Sequence, residues 1–370
     1  MSQSMNSANQ PLYLQIQAML KQKIEQGELK PGDQIPTEAD LVDQFNVSRV
    51  TIKNAMKILV DDGLIYRIAG KGSFVSDGHP LLPSRQNSEH AELGLKIGLL
   101  LPLANDEFVI KLLQGIEKEC RERNVLLSIR FAMEQPEERS GIQAFLQAGM
   151  DGLIIFPVDG EAYSDAILQL KNDGFPFVLV DRYLPGIKTN AVYSDNYRGG
   201  YIGTEYLIQK GHKKIGILSG TKSITASSED RFSGYLDAAK AAGLKLEPSH
   251  WLTRLDEVCF SDMDATKQAV KEWMDAQQDL TAIFAFSNGM AVVVASIAAE
   301  RGLAIPEDLA ILSFDCPPLR DLQGYFFSRI EQQELSIGMQ AVRLLLDTIA
   351  GKTDLQQIVV PVQLVEGRST

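Results

Sequence analysis

Cysteine is scarce in this chain. Cys120, Cys259 and Cys316 are the three among 370 residues. An odd, widely spaced set excludes a disulfide scaffold and points to free thiols in a reducing compartment. No apolar run approaches the roughly 18 residues that a membrane span needs. The opening MSQSMNSANQ has neither a basic segment nor an apolar one, so no export signal is read there and a cytosolic protein without a membrane partner is expected. His79, His90, His212 and His250 form no pair at helical metal spacing, and no CxxC occurs. No metal is expected. Gly-x-Ser-x-Gly, the P-loop and the dinucleotide GxGxxG are also missing, which leaves no sign of catalysis or of a cofactor.

What is present is the composition of a soluble globular protein, 45% hydrophobic and 23% charged, at a length that suits two or three domains. The net charge of -12 argues against a nucleic-acid partner until it is divided along the chain. Residues 1–76 carry eight basic and eight acidic side chains; taking these from totals of 36 and 48 leaves 28 basic and 40 acidic beyond. The whole excess is in the second part. Between them, SDGHPLLPSRQNSEHAELGL has turn residues and no periodicity, so 77–95 reads as a linker between domains 1–76 and 96–370.

Before the linker, Tyr13, Ile16, Met19 or Leu20, and Ile24 recur at helical spacing, and Gly27 and Pro31-Gly32 end that helix. Thr37 caps a short second helix. Ser48 caps a third, in which Ile52, Ala55, Met56, Leu59 and Val60 form one buried face. Arg49, Thr51, Lys53, Asn54 and Lys57 stand opposite. Leu64 to Ile68 and Ser73 to Val75 are short strands around the tip Ala69-Gly70-Lys71-Gly72. This is the order of a small α+β winged helix-turn-helix, with a basic helix of major-groove size.

The segments PLYLQI, GELKPGDQIPTEADL, NVSRVTIKNAM and LVDDGLIYRIAGKGSFV resemble the DNA-binding domain of GntR-family transcription regulators. The resemblance implies double-stranded operator DNA as partner, with Ser48, Arg49, Thr51, Lys53 and Asn54 at bases or phosphates and the tip Gly70, Lys71, Gly72 in the minor groove. Ala39 departs from the pattern, since a basic residue is frequent there.

Past the linker, apolar strands alternate with helices from Lys96 to Phe314 in two series. That predicts two α/β lobes with parallel, doubly wound sheets and a ligand cleft at the strands' carboxyl ends. Helices are expected over 140–148, 163–172 and 234–242, among others. KIGLLLP, GMDGLIIFPVD, GFPFVLVDR, SEDRFSGYLDAAKAAGL and TAIFAFSNGMAVVVASIAAERGLAIPEDLAILSFD resemble the effector domain of LacI-family regulators, itself similar to periplasmic sugar-binding proteins. By that resemblance the ligand positions are Asp106, Phe108, Asp159, Arg231, Asn288 and Asp315. Arg182 and Tyr183 join them as residues just after a strand. Carboxylates, an amide, a guanidinium fork and an aromatic plate suit a small sugar. The two-part arrangement is similar to L-arabinose-responsive repressors and implies a homodimer on a pseudo-palindromic operator. Two alternatives stay open: a cytosolic sugar-binding module without DNA binding, and a regulator that answers to a nucleobase.

Overall fold

The computed structural model describes residues 11–62, 64–68, 72–76, 94–102, 107–158, 164–219, 225–255, 262–315, 320–321, 324–352 and 354–370. The chain divides into two compact units, Met1–Leu93 and Gly94–Thr370.

The first unit runs α1 (Leu12–Glu25), β1 (Gln34–Ile35), α2 (Glu38–Phe45), α3 (Arg49–Asp61), β2 (Ile65–Ile68) and β3 (Gly72–Val75). Thr37 and Asp40 close a reciprocal cap at the start of α2: the Thr37 hydroxyl accepts the Asp40 amide, and the Asp40 carboxylate accepts the Thr37 amide. Ile16 and Leu20 of α1 pack with Leu41 of α2 and with Ile52, Met56 and Leu59 of α3. The sheet order is β1-β3-β2, all antiparallel. The hairpin is as the turn residues predict, while β1 is an addition, its two residues being too few for any periodicity. Gly72 has φ +117 where it pairs with Ile68, a conformation open to glycine and to little else.

The second unit begins β4 (Lys96–Leu101), α4 (Glu107–Glu122), β5 (Leu126–Phe131), α5 (Gln135–Gln147), β6 (Gly152–Ile155), α6 (Asp165–Asn172), β7 (Phe177–Val180) and β8 (Ala191–Ser194). It continues with α7 (Asn196–Gln209), β9 (Ile215–Leu218), α8 (Ala226–Ala241), β10 (Trp251–Leu252), α9 (Met263–Ala276), β11 (Ala282–Ala285), α10 (Asn288–Glu300) and β12 (Ala310–Phe314). Last come the hairpin β13 (Arg320–Asp321) and β14 (Gly324–Tyr325), then β15 (Ser328–Glu331), α11 (Glu334–Ile349), β16 (Gln357–Val360) and β17 (Gln363–Val365). The strands form two lobes, ordered β16-β8-β7-β6-β4-β5 and β10-β9-β11-β12-β15-β17. Within these two sheets all pairings are parallel except β17 against β15.

Each sheet is buried on both faces, as parallel sheets are. Ile97, Leu99 and Leu101 of β4 pack toward α4 and α11, and Leu100 between them packs toward α5 and α6. The chain passes between lobes after β8, after β15 and after β16, so each lobe is built from distant segments. Several helices start earlier than apolar periodicity implies. α8 begins at Ala226 rather than 234 and α5 at Gln135 rather than 140. In α8 the early buried positions are Ala226, Ser227 and Arg231, small or polar residues that give no apolar stripe.

Candidate functional site

In the first unit, α3 is the element to consider. At 3.6 residues per turn, Arg49, Val50, Lys53, Asn54 and Lys57 share one face of it, and all five are exposed. Among the described residues none of Arg49, Lys53 and Lys57 has an ion-pair partner, so three positive charges are available to an external anion. Asp62, one candidate counter-ion, instead accepts from Gln17 at 3.2 Å. Ser48 and Thr51 are differently engaged. The Ser48 oxygen accepts the Thr51 amide, and the two hydroxyls lie 2.8 Å apart, which fixes the start of α3. Val50, 68% exposed, is a residue that sequence reasoning passed over. An apolar side chain among cations is suited to a thymine methyl. Gly72 is explained by its backbone; Gly70 and Lys71 lie outside the described residues.

In the second unit, the strands' carboxyl ends gather a charged cluster. Arg231, on the first turns of α8, is 8% exposed. Its Nε donates to Asn196 Oδ1 at 2.8 Å, its Nη1 to the Phe286 carbonyl at 2.5 Å, and its guanidinium lies 3.9 Å from the Phe314 ring centroid. Burial lowers its proton affinity, and the carboxylates of Asp315, Asp181 and Asp230 act against that. α8 reaches this place because two glycines let α7 and α8 touch. A Cβ on Gly200 would stand 2.0 Å from the Arg231 carbonyl, and one on Gly234 2.1 Å from the Tyr197 carbonyl.

Asp315 follows β12 with φ 62, and Gln332 Nε2 is 2.9 Å from both of its carboxylate oxygens. Gln332 itself is buried where the chain leaves β15, and its Oε1 has no partner among the described residues. Asp181 follows β7 with φ 66 and pairs with Arg182 at 3.4 Å. Arg182 also donates to the Pro157 carbonyl at 3.2 Å and lies over the Phe156 ring at 5.1 Å. The Tyr183 hydroxyl is 3.2 Å from both carboxylate oxygens of Asp230. A planar cation ringed by carboxylates and amides can pair with the vicinal hydroxyls of a polyol.

Residues 97–353 match the family model of the periplasmic binding protein domain. The chain belongs to that family. Ahead of the periplasmic binding protein domain, residues 12–75 match the model for bacterial regulatory proteins of the gntR family. The chain is 25% identical over 345 residues to the arabinose metabolism transcriptional repressor of Geobacillus stearothermophilus, spanning 92% of this chain and 91% of that one. It is 28% identical over 281 residues to the HTH-type transcriptional repressor PurR of Klebsiella pneumoniae, spanning 74% of this chain and 79% of that one. Among solved structures, the LacI family transcriptional regulator from Enterococcus faecium with bound ribose has the same fold. The TM-score is 0.61 at 24% identity, covering 74% of this chain and 98% of that one. The chain is thus a transcriptional regulator, with a gntR-type DNA-binding unit joined to a periplasmic binding protein domain.

Within the periplasmic binding protein domain, Arg231 and Asp315 come together, with Asn288 two residues past the Phe286 carbonyl that Arg231 holds. Phe108 is 6% exposed and meets Phe156 edge-on at 6.4 Å, inside the apolar core of the first lobe. Asp106 and Asp159 lie outside the described residues. Arg182 and Tyr183 are spoken for by Pro157, Asp181 and Asp230. Sequence reasoning missed Asp181, Asn196, Asp230 and Gln332. Asp181 and Asp230 were adjacent to named residues. Gln332 had no nearby motif to mark it. A cavity of about 500 Å³ along α11 and β16, lined by Leu335, Met339, Arg343, Leu344, Gln356 and Ile358 among others, includes none of the candidate residues.

Proposed function

We propose that this regulator is a cytoplasmic repressor that leaves its operator when a small sugar, a pentose such as L-arabinose in the first instance, binds between the two lobes of its second unit. The observation that carries this reading is the buried Arg231, anchored through Nε and Nη1 on Asn196 and Phe286 and its charge ringed by Asp181, Asp230 and Asp315. Such a group orders carboxylates and amides for hydroxyl pairing. Arg231, Asn288, Asp315, Asp106 and Asp159 are the proposed polar contacts, with Phe108 beneath as apolar support. The relative named for arabinose metabolism spans almost the whole of both chains, which supports sugar over nucleobase.

The operator contacts proposed are Arg49, Lys53 and Asn54 at the bases, Ser48 and Thr51 shaping the helix start, and Gly70, Lys71 and Gly72 at the wing. A homodimer on a pseudo-palindromic operator fits this use. Its support is apolar exposure in the first lobe: Leu126, Ile129, Phe131 and Met133 on and just after the edge strand β5, with Ile110 on α4. Sugar and operator must then oppose each other by one common factor.

A thermal-shift screen against pentoses, hexoses and their phosphates tests the reading. A ligand at 100 times its dissociation constant should add about 2.7 kcal/mol of stability. The same ligand should raise the dissociation constant for operator DNA in a gel shift. Operator affinity that is equal with and without every stabilising ligand would refute the repressor mechanism.

A further inference from the structure

The two lobes meet at a side-chain hydrogen bond whose ends are both held rigidly. Tyr183 stands just after β7 in the first lobe. Its ring lies against Tyr193 of β8, centroids 4.7 Å apart, and the Tyr193 hydroxyl is 3.3 Å from Gln357 Oε1 of β16. Asp230 belongs to α8 in the second lobe. That helix is fixed by its Thr225 cap and by the backbone contact with α7 through Gly200 and Gly234. The Tyr183 hydroxyl donates to Asp230, 3.2 Å from each oxygen. Neither partner can follow the other if the lobes part, because each is braced within its own lobe. The bond is therefore made or broken by lobe motion as a whole.

We infer that the Tyr183–Asp230 hydrogen bond is a latch between the lobes, which sets the fraction of molecules with closed lobes and thereby sets effector affinity without Tyr183 touching the effector. The effect on affinity rests on the interlobe cleft being the effector site. The effect on lobe closure does not. A ligand that binds only the closed form has its apparent affinity reduced by the fraction of protein that is open. A hydrogen bond to a charged acceptor shifts such a ratio about tenfold or more. Asp230 sits beside Arg231, so the latch ends where the proposed effector contacts begin.

The test uses the full chain without effector. Spin labels at Lys188→Cys and Lys240→Cys, exposed positions in the first and second lobes, report lobe separation by pulsed electron resonance. Cys259 and Cys316 are replaced by serine. Cys120 is retained, since burial pushes its thiol up to about 12 and slows labelling. Labelled chains are diluted with unlabelled ones so that a dimer carries one pair. Tyr183→Phe and Asp230→Ala should each populate a longer distance, and the double variant should lengthen it no further. Asp230→Asn keeps an accepting oxygen and should restore most of the short population. Unchanged distances in the single variants, or additive change in the double, would overturn the latch. L-arabinose is then titrated into the same proteins. Affinity should fall by one common factor in both single variants and in the double, equal to the fall in the closed fraction that the label distances report. Additive losses of affinity at unchanged distances would make Tyr183 a direct contact and not a latch. If the parent protein binds no sugar, the sugar reading fails, and the label distances still decide the latch.

Discussion

Asp181 and Asp315 occupy the same place in the two lobes. Each is the residue after a central strand, β7 or β12, and each has left-handed backbone, φ 66 and φ 62. Each donates its amide to the next strand, to the Val192 carbonyl at 3.0 Å and the Ile330 carbonyl at 2.9 Å. Aspartate accepts this conformation more readily than most side chains do. Both carboxylates also bear on the charge of Arg231, so two matching turns supply opposite sides of one cluster.

Arg231 should therefore not tolerate lysine. Arg231→Lys keeps a positive charge but loses the planar fork and the stacking on Phe314. Asn196 and the Phe286 carbonyl lose their donor, at about 1–3 kcal/mol for groups left buried and unpaired. Calorimetry should find a lower melting temperature without sugar and no added stability with it. A variant that responds to sugar as the parent does would remove Arg231 from the site.

Arg49→Ala should weaken operator binding by about 1–3 kcal/mol and relax preference at one base position. Val50→Ser should leave affinity for random DNA unchanged while lowering it for the operator, because an apolar contact adds nothing to phosphate binding. Gel-shift titrations with operator and scrambled duplexes separate the two effects. Equal losses on both duplexes for Val50→Ser would rule out a base contact.

Gly200→Ala places a methyl where the Arg231 carbonyl already stands, 2.0 Å away. The helices α7 and α8 must then part, at about 1–3 kcal/mol for overpacking. A lower urea midpoint is expected, together with weaker sugar binding, since Arg231 moves with α8. An unchanged midpoint would show that the two helices yield freely.

Glu138 gives a pH test. It is fully buried, accepts the Val158 amide at 2.9 Å, and is pushed above the ordinary carboxylate range by burial. The folded state thus holds this proton more tightly than the unfolded state does. Its contribution to stability is complete below the ordinary glutamate range and is lost as pH rises through the raised value. Glu138→Gln does not titrate. Its melting temperature, relative to the parent, should rise as pH climbs from the ordinary glutamate range through the raised value. A difference that stays flat across this range would mean that Glu138 ionises normally.

Glu119 should behave in the opposite way. Arg343 grips it at 2.9 and 2.8 Å and Arg123 at 2.6 Å, and these bonds hold its carboxyl below the usual range. Stability from this link between α4 and α11 is present above the ordinary glutamate range and is lost as pH falls through the lowered value. Glu119→Gln should melt earlier than the parent at neutral pH, with the gap closing in acid. A gap that is the same at every pH would assign the loss to packing.

The amino-acid sequence by itself determined most element types up to Phe314, though not β1, β8, α7 or β10, and the basic face of α3. Both follow from local rules: caps such as Ser48, glycine stops, and the spacing of Ile52, Met56 and Leu59 act within one or two turns. The division of charge after residue 76 is equally local, and it made DNA binding legible in an acidic chain. The tertiary structure decided how the lobes are assembled. β16 returns to pair with β8, Gln357 beside Ala191, and nothing in an apolar strand names the sheet it will join. It also decided which site residues meet. Arg231 finds Asn196 and Phe286, and Tyr183 finds Asp230, across 35, 55 and 47 positions of chain. Polar partners at such separations are chosen by which strand ends come side by side, and that depends on the packing of whole lobes.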